Sequence, residues 1–401
     1  MTEATHSFWL DVPLKTGLKE GLPQSTSIVV IGSGLAGASA AYFLEKHGFE
    51  GITLVDYLPE EAASYRNCGH ILYGTVESMK ALCEIHGAEK AKELWQFSID
   101  ICNQVEQTQK DLSLEMDYRR KGYLVIADSE VEDRECRESV DLLNKMGFQS
   151  EYVDSKTIQD LGFKNCFGAR YEEGSADAHP VKFRNGLVDA FLEKGGQYYS
   201  GVEVLDLEET SDGVRVKTAQ GEIQADAVVI AANAYSPLFS GFFKSRGLID
   251  PFRGQIITSK PLKHSFPVQY PHSFDHGYEY AVVTPDNRLM IGGWRNHTDG
   301  EMGTYSLKTN SFVEEGLKKF ARDHYQIEEE IEWEYSWSGI MAASRTGLPF
   351  IGNTSSPRIY SVCGFTGHGF SWAHGSAKLL SDIMAGAPVP EVAKHFNPRV
   401  L

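Results

Sequence analysis

The chain has 401 residues, of which 42% are hydrophobic and 11% aromatic, enough for a large core in more than one lobe. Lys and Arg total 38 against 55 Asp and Glu, and this net charge of −17 disfavours a nucleic-acid partner. No apolar run is long enough to cross a bilayer and no His/Cys set has zinc spacing, so the sequence predicts no membrane partner and no metal. Six dispersed cysteines without a C-x-x-C pair predict reduced thiols and a cytoplasmic location.

The N-terminal half of the chain alternates between strand and helix patterns. After a polar lead-in at residues 1–25, the pattern predicts a strand over Ser27–Ile31, a helix over Ala36–Lys46 and a strand over Ile52–Val55. Further elements are predicted in the order helix Thr75–Leu112, strand Gly122–Ala127, helix Glu130–Met146, helix Lys182–Lys194, and strands Glu203–Leu207, Val214–Thr218 and Ala227–Ala231.

From Gly247 to Trp333 strand signals dominate, apart from a helix over Ser311–His324. The C-terminal part returns to the first pattern, with a strand over Ile359–Val362 and a helix over Ala373–Met384. The sequence therefore predicts an α/β cofactor domain with a Rossmann-like βαβ unit, interrupted by a strand-rich α+β insert. The expected division is a cofactor domain of residues 26–116, 175–246 and 336–388, a substrate domain of 117–174 and 247–335, and a tail of 389–401.

A glycine-rich turn follows the first strand. Residues 32–37 read Gly-Ser-Gly-Leu-Ala-Gly and match G-x-G-x-x-G, in which the glycines permit a tight turn, close approach of a pyrophosphate and close helix packing. Asp56, 19 positions after Gly37, ends the second strand and can accept hydrogen bonds from a ribose. The predicted dinucleotide contacts are Gly32, Gly34, Leu35, Ala36, Gly37 and Asp56. The turn fits FAD and NAD equally, and a glycine-rich turn without a ligand is the alternative.

A second glycine cluster, Cys363–Phe370, joins the last strand to the last helix. Its glycines would let a flat ligand lie against the backbone, and the positive end of the helix would stabilise the negative pyrimidine edge of a reduced flavin. Because the cofactor pattern returns only here, FAD is favoured over NAD. The alternative is an ordinary strand-to-helix turn.

Five segments in order carry a family resemblance: Ile31–Gly37, Ala63–Gly69, His179-Pro180 with the helix after it, Phe252–Gln255, and Trp337–Gly352 running into Gly364–Phe370. With them the chain resembles the D-amino-acid oxidase superfamily, in the branch of monomeric sarcosine oxidase, glycine oxidase and gamma-glutamylputrescine oxidoreductase. The Ser64/Arg66/Asn67 cluster and the run from Trp337 to Gly339 are most similar to the last type. The resemblance implies FAD and a substrate domain whose sheet covers the isoalloxazine ring.

The resemblance also implies which residues contact the cofactor. Ser64, Arg66, Asn67, Cys68 and Gly69 would lie beside the flavin, Val204 and Ala231 along the adenine, and Gly364, Gly367, His368, Gly369 and Phe370 over the pyrimidine edge. The flavin is expected to be non-covalent, because the attachment cysteine of sarcosine oxidase falls on Gly339. A covalent link to the flavin through Cys68 or His70 remains the alternative.

Members of the family oxidise a C–N bond of a neutral amine by hydride transfer to flavin N5, and the imine then hydrolyses. This chemistry depends on position more than on a strong acid or base. The candidates for catalysis are His368, Tyr280 and Trp337, and those for the substrate are Tyr278, Met341 and Ser371. Each of these side chains could instead have a purely structural role, and Tyr278 and Tyr280 are expected on one strand face.

The sequence departs from the family at three charged positions. The carboxylate-binding arginine of glycine oxidase falls on Met341, the carboxylate-binding lysine of sarcosine oxidase on Ser371, and its oxygen-activating lysine on Met290. We therefore expect an amine without a carboxylate at its reacting end, and slow reaction with oxygen. Arg66, Arg253 or Arg295 could replace the missing clamp, as in an amino-acid oxidase. A tRNA-modifying flavoenzyme and a non-catalytic flavin protein remain alternatives, and the oligomeric state is open.

Overall fold

The computed structural model describes residues 5–266, 268 and 270–400, so the first four residues of the predicted lead-in and the last residue of the predicted tail lie outside it. The strands are β1 (Ser25–Ile31), β2 (Ile52–Asp56), β3 (His70–Ile71), β4 (Tyr123–Ala127), β5 (Glu151–Asp154), β6 (Gly168–Glu172), β7 (Ala176–Asp177), β8 (Gln197–Ser200), β9 (Val204–Glu209), β10 (Val214–Thr218), β11 (Gly221–Ile230), β12 (Ile249–Ser259), β13 (His272–Phe274), β14 (Glu279–Val283), β15 (Leu289–Gly292), β16 (Trp333–Ser344), β17 (Phe350–Asn353) and β18 (Ile359–Cys363). The helices are α1 (Leu35–Lys46), α2 (Met79–His86), α3 (Ala88–Asp111), α4 (Glu130–Lys145), α5 (Ser155–Asp160), α6 (Pro180–Glu193), α7 (Ser236–Phe239), α8 (Gly241–Arg246), α9 (Ser311–His324) and α10 (Gly369–Ala385).

The first sheet is the one that the nucleotide pattern predicts. Its order is β17-β18-β11-β1-β2-β8, with β10 and β9 attached through β11. The apolar run of β1 is buried because β1 pairs in parallel with β11 on one side and β2 on the other. Helix α1 packs against α6 and α10, so elements from three distant parts of the chain form one layer.

The second sheet has the order β16-β12-β15-β14-β13-β4-β6-β5. Strands β12 and β16 pair antiparallel from Ile249↔Ser344 to Ser259↔Trp333 and form one margin of this sheet. One transverse row of paired residues runs Gly292, Tyr280, Ser273, Val125 and Arg170. Paired residues project from the same face, so beyond Gly292 this row aligns four side chains from β14, β13, β4 and β6.

Two predictions about local structure need correction. The stretch Thr75–Leu112 is two helices rather than one, because Gly87 adopts a φ of 84° between them. The lead-in is also more than a polar extension. Trp9 is buried and its Nε1 donates to the Asn67 carbonyl at 2.7 Å, and the Ser7 hydroxyl donates to the Tyr65 carbonyl at 2.6 Å. These contacts join the N-terminal segment to the predicted flavin loop.

Among the glycines of residues 32–37, Gly37 has the least space for a side chain. A Cβ at this position would overlap the carbonyl oxygen of Gly32, which is backbone and has no freedom to move aside. We expect Gly37→Ala to displace α1 from β1, destabilise the protein by about 1–3 kcal/mol or more, and remove the cofactor. The measurements are thermal unfolding and retained flavin.

Gly241 offers the control for this substitution. It lies at the exposed start of α8, where an added Cβ meets nothing within 4 Å. Gly241→Ala should therefore leave both readouts unchanged. A Gly37→Ala protein with wild-type stability and flavin content would contradict the packing argument.

Candidate cofactor and substrate site

A cavity of about 900 Å³ is lined by residues of both sheets. It brings together most of the predicted site residues: Gly32, Gly34, Leu35, Ala36, Asp56, Ser64, Arg66, Asn67, Cys68, Val204, Ala231, Tyr278, Tyr280, Met341, Gly367, His368, Gly369, Phe370 and Ser371. Gly37, Gly69, Gly364 and Trp337 do not line it. A cavity of this volume, lined from both sheets, is suited to hold a dinucleotide and a substrate together.

The helices α1 and α10 both begin on the cavity wall. Their N-cap residues, Gly34 and His368, make no side-chain hydrogen bond to the first turn. Apart from the Leu35 N–H, which donates to the Ser64 Oγ, the first turn of each helix therefore offers N–H groups and the positive end of its dipole to the cavity. The arrangement suits an anionic group at each place, as the two glycine clusters predict.

Asp56 and Ser64 shape the turn before α1. The Asp56 Oδ2 accepts from the Ser33 backbone N–H at 2.5 Å, and the Ser64 Oγ accepts from the Leu35 N–H at 2.8 Å. Burial raises the pKa of Asp56, and the hydrogen bond from Ser33 opposes that rise. Asp56 thus holds the turn as well as lining the cavity, a role that the sequence did not predict.

The predicted flavin loop is held by its own polar side chains. Arg66 is buried and donates to the carbonyls of Glu60 at 3.1 Å, Thr5 at 3.1 Å and Ser338 at 2.9 Å. Asn67 donates to carbonyls within the loop, and its Oδ1 accepts from the Gly69 N–H at 2.8 Å. Burial lowers the pKa of Arg66. The Arg66 guanidinium is therefore engaged by the protein rather than free for a ligand.

The C-terminal glycine loop reverses the chain between β18 and α10. Gly364 and Gly367 have φ values of 82° and 84°, and Thr366 between them has 45°. The His368 Nδ1 lies 3.4 Å from the Thr366 carbonyl oxygen, and burial lowers the pKa of the imidazole. His368 is therefore neutral at pH 7 and braces the loop while lining the cavity.

The substrate candidates approach the cavity from several elements. Tyr280 lies on β14, but Tyr278 precedes that strand, so the prediction that both tyrosines lie on one strand face is wrong. Both nevertheless line the cavity. Met341 is half-buried on β16, and the Ser371 Oγ accepts from the Leu72 N–H at 2.7 Å. Neither of these positions brings a cation.

Trp337 and Met290 belong to the protein interior. Both are fully buried in a cluster with Trp9, Tyr65 and Cys68. Trp337 does not reach the cavity, so we do not retain it as a catalytic candidate. Met290 is also absent from the wall, and the expectation of slow oxygen reaction stays a prediction from the alignment alone.

The structure distinguishes the three arginines that could clamp a carboxylate. Arg66 is bound by carbonyls, and Arg253 forms a double contact with Glu301 at 2.6 and 2.8 Å. Arg295 lines the cavity, with its guanidinium 4.7 Å from the Tyr278 ring centre and 5.4 Å from that of Phe252. In the described part of the chain no carboxylate pairs with it. Sequence spacing could not rank these arginines.

Sequence reasoning missed a charged pair at the far end of the cavity. Arg170 and Glu172 are two residues apart on β6, and both side chains line the cavity. Two charges at a period of two in a short strand were the available signal, since they share a face. His70 also lines the cavity; its Nε2 lies 3.0 Å from the Ala281 carbonyl, and burial lowers its pKa to about 3.

Two groups of side chains could ligate a metal, and Glu132 and His276 of the first group line the cavity. Among the described residues, ligand atoms of Glu132, Asp275 and His276 lie within 4.8 Å of one another, as do those of Asp275, Glu279 and His297. The sequence predicts no metal, and grouped acidic residues without another feature are not evidence for a metal site.

Among the described helices, none is long and apolar enough to span a bilayer.

The fold and site define a flavin-type oxidoreductase. A family model described as "FAD dependent oxidoreductase" (DAO) matches residues 27–383, and the chain belongs to this family. It is 26% identical over 373 residues to the probable oxidoreductase OrdL of Haemophilus influenzae, covering 90% of this chain and 84% of that protein. It is 24% identical to the gamma-glutamylputrescine oxidoreductase of Escherichia coli, covering 96% and 90%.

Solved structures share the fold. The glycine oxidase of Geobacillus kaustophilus superposes with a TM-score of 0.79 at 19% identity, covering 94% of this chain and 98% of that one. These findings confirm the predicted family, the α/β fold class and the dependence on FAD.

Gly34 tests the predicted pyrophosphate position. A Cβ here would lie 2.7 Å from the Ser64 Oγ, and a valine would also fill the space before α1. We expect Gly34→Val to lose nearly all bound FAD while the protein stays folded, measured by flavin absorbance and circular dichroism.

A second variant separates the two causes of this loss. If only crowding of Ser64 matters, Gly34→Ala with Ser64→Gly should bind as much FAD as Ser64→Gly alone, which accounts for the loss of the hydroxyl. If the position belongs to the pyrophosphate, the double variant should bind less FAD than Ser64→Gly. Wild-type FAD content in Gly34→Val would show that the pyrophosphate lies elsewhere.

Proposed function

We propose that this protein oxidises a C–N bond of a small amine, giving an imine that hydrolyses. The observation that carries the proposal is that the N-termini of α1 and α10 and the residues Tyr278, Tyr280 and Met341 all line one cavity. One part of this wall suits the cofactor, and the other part is aromatic and apolar. FAD, when bound, accepts the hydride equivalent that leaves the carbon beside the nitrogen.

The residues proposed to hold FAD form two groups. The first turn of α1 with Asp56 and Ser64 would hold the ADP half, with Val204 and Ala231 beside the adenine, and the loop from Gly367 to Phe370 would hold the pyrimidine edge. We propose that the flavin is not covalently attached. Burial raises the pKa of the Cys68 thiol well above its ordinary range, and His70 bonds to a carbonyl, so neither is a ready nucleophile.

The chain's own residues bind the amine in its neutral form. Burial lowers the pKa of His368 and raises that of the Tyr280 hydroxyl, so both are uncharged at pH 7. A low-dielectric wall of this kind disfavours an ammonium and favours the free amine with its lone pair. His368 and Tyr280 would position the amine rather than exchange charge with it. The free cysteines agree with a reducing compartment, and we propose a cytoplasmic location.

The substrate is proposed to have no carboxylate at its reacting end. Met341 offers no charge, and Ser371, whose Oγ accepts from the Leu72 N–H, can give a carboxylate only a neutral hydrogen bond. The second candidate is an amino-acid substrate clamped by Arg295, because this arginine lines the cavity without an acidic partner in the described part of the chain. The two candidates differ in one measurable requirement, the charge of Arg295.

Anaerobic flavin reduction decides between these substrates. We expect butylamine and putrescine to reduce the flavin at least about tenfold faster than glycine, sarcosine or D-alanine, a difference of ~1.4 kcal/mol in the barrier. Arg295→Gln should leave the amine rates unchanged. Faster reduction by a simple amino acid, together with its loss in Arg295→Gln, would establish the second candidate instead.

Met341→Arg should change the preference in the opposite direction. The new cation would stand where related oxidases bind a carboxylate, so amine reduction should slow and reduction by glycine should become detectable. Met341→Leu is the matched control, since it keeps the volume without the charge. Equal effects of the two variants would show that shape rather than charge is responsible.

A further inference from the structure

An N-terminal strap, residues 5–15, lies against the flavin loop, residues 63–69. None of the strap residues, all of which the structure describes, lines the cavity, whereas most residues of the flavin loop do. The strap nevertheless bonds to the loop backbone at two places. The Ser7 hydroxyl donates to the Tyr65 carbonyl at 2.6 Å, and the Trp9 Nε1 donates to the Asn67 carbonyl at 2.7 Å. The loop is therefore held between the cavity on one side and the strap on the other.

These two loop carbonyls depend on the strap for their hydrogen bonds. Among the described residues, Ser7 and Trp9 are the only protein donors to them. Ser7 and Tyr65 have no exposed surface, and Trp9 is 5% exposed. A buried carbonyl that loses its donor is costly, so the loop conformation is favourable only while the strap is in place.

The Trp9 ring also packs against the end of the flavin loop. A Cβ on Gly69 would lie 3.3 Å from the Trp9 Cζ2, so the absence of a side chain at Gly69 lets the indole lie close to the backbone. On its other side, the Trp9 ring centre is 4.8 Å from that of His179, the N-cap residue of α6. Trp9 therefore connects the flavin loop to α6.

The far end of the strap is bonded to the glycine turn before α1. The Asn185 Oδ1 accepts from the Lys15 N–H at 3.0 Å, and the Arg184 Nη1 donates to the Lys15 carbonyl. The Arg184 Nε in turn donates to the Ser33 carbonyl at 2.9 Å. One continuous segment is thus attached to both parts of the cofactor site, directly to the flavin loop and through Arg184 to the glycine turn.

We propose that Ser7 and Trp9 are positioning residues that hold the flavin loop in the conformation that binds FAD, so that the strap and FAD stabilise each other. Neither side chain lines the cavity, so both act through the loop carbonyls. Such coupling is reciprocal: the factor by which the closed strap strengthens FAD binding is the factor by which FAD keeps the strap closed. The inference goes beyond the proposed oxidation, because it concerns the holoenzyme before any amine is bound.

Two substitutions test the donors one at a time. Ser7→Ala and Trp9→Phe each remove a single donor and keep an apolar or aromatic side chain in its place. The dissociation constant is measured on holoenzyme at a series of dilutions, from the free FAD that passes an ultrafiltration membrane. Each variant should bind FAD at least about fivefold more weakly, the lower end of the effect of leaving a buried carbonyl unpaired.

Ser155→Ala is the matched control for Ser7→Ala. The Ser155 hydroxyl also donates to a backbone carbonyl, that of Cys166 at 3.0 Å, and neither residue lines the cavity. This variant loses the same kind of hydrogen bond at a place that is not connected to the flavin loop. Its affinity for FAD should therefore be that of the wild type.

Trypsin digestion measures the reciprocal effect. Lys15 is exposed, but its backbone N–H and carbonyl are both hydrogen-bonded, so cleavage after Lys15 requires the strap to open. With FAD in excess, this cleavage should be at least about fivefold slower than after dilution has released most of the FAD, as followed by mass spectrometry of the N-terminal peptide. In Ser7→Ala and Trp9→Phe the protection should fall by about the same factor as the affinity for FAD.

Three results would overturn the inference. The first is wild-type affinity for FAD in both variants, and the second is cleavage after Lys15 at a rate that does not depend on FAD. The third is a lower unfolding temperature with unchanged affinity and protection, which would give the two residues a merely structural role. Ser7→Ala removes one oxygen atom and decides the question if Trp9→Phe does not fold. Because no measurement uses an amine, failure of the proposed oxidation would leave these results unaffected.

Discussion

The contact between the Gly32 carbonyl and the first turn of α1 determines where the rest of the site can lie. It leaves no space for a side chain at Gly37, so α1 rests directly on the end of β1. The same turn is held from the other side, where the buried Arg184 Nε and the Tyr65 hydroxyl both donate to the Ser33 carbonyl, at 2.9 and 3.1 Å. A turn fixed in this way directs the N-terminus of α1 into the cavity before any ligand is present, which reduces the ordering cost of binding.

Several arginines of this protein are buried or half-buried, and what they bind decides their roles. Arg184 and Arg66 donate to carbonyls, and Arg253 is paired with Glu301. Their charges therefore satisfy backbone groups or acids and join distant segments, as Arg66 joins the flavin loop to β16. Arg170 and Arg295 have fewer protein partners and line the cavity. The charges available to a ligand are those that the fold leaves incompletely satisfied.

This distinction explains what the sequence could and could not predict. The β1–α1–β2 unit and α10 follow from apolar periodicity and glycine spacing, which are local, and α9 has the predicted limits. The position of β6 in the cavity wall instead depends on pairing between strands that are distant in sequence. It exists because β4 lies parallel to β13 and antiparallel to β6, which places Arg170 on the row that contains Tyr280. Trp337 is on the same face of β16 as Met341, which lines the cavity, and the sequence could not show that Trp337 instead packs in the buried cluster with Trp9 and Cys68.

Different features of the protein attract the amine from solution and prepare it to react in the cavity. The net charge of −17 attracts a cationic amine from solution, but His368 and Tyr280 on the cavity wall are held neutral by burial. Burial lowers the pKa of His70 to about 3, so this imidazole adds no positive charge that would repel the amine. An ammonium entering this region would lose its hydration without gaining a carboxylate, and its own pKa must fall as that of a buried lysine does. Release of its proton before arrival is then favourable, and the lone pair needed for C–N oxidation is produced by the environment rather than by a dedicated base.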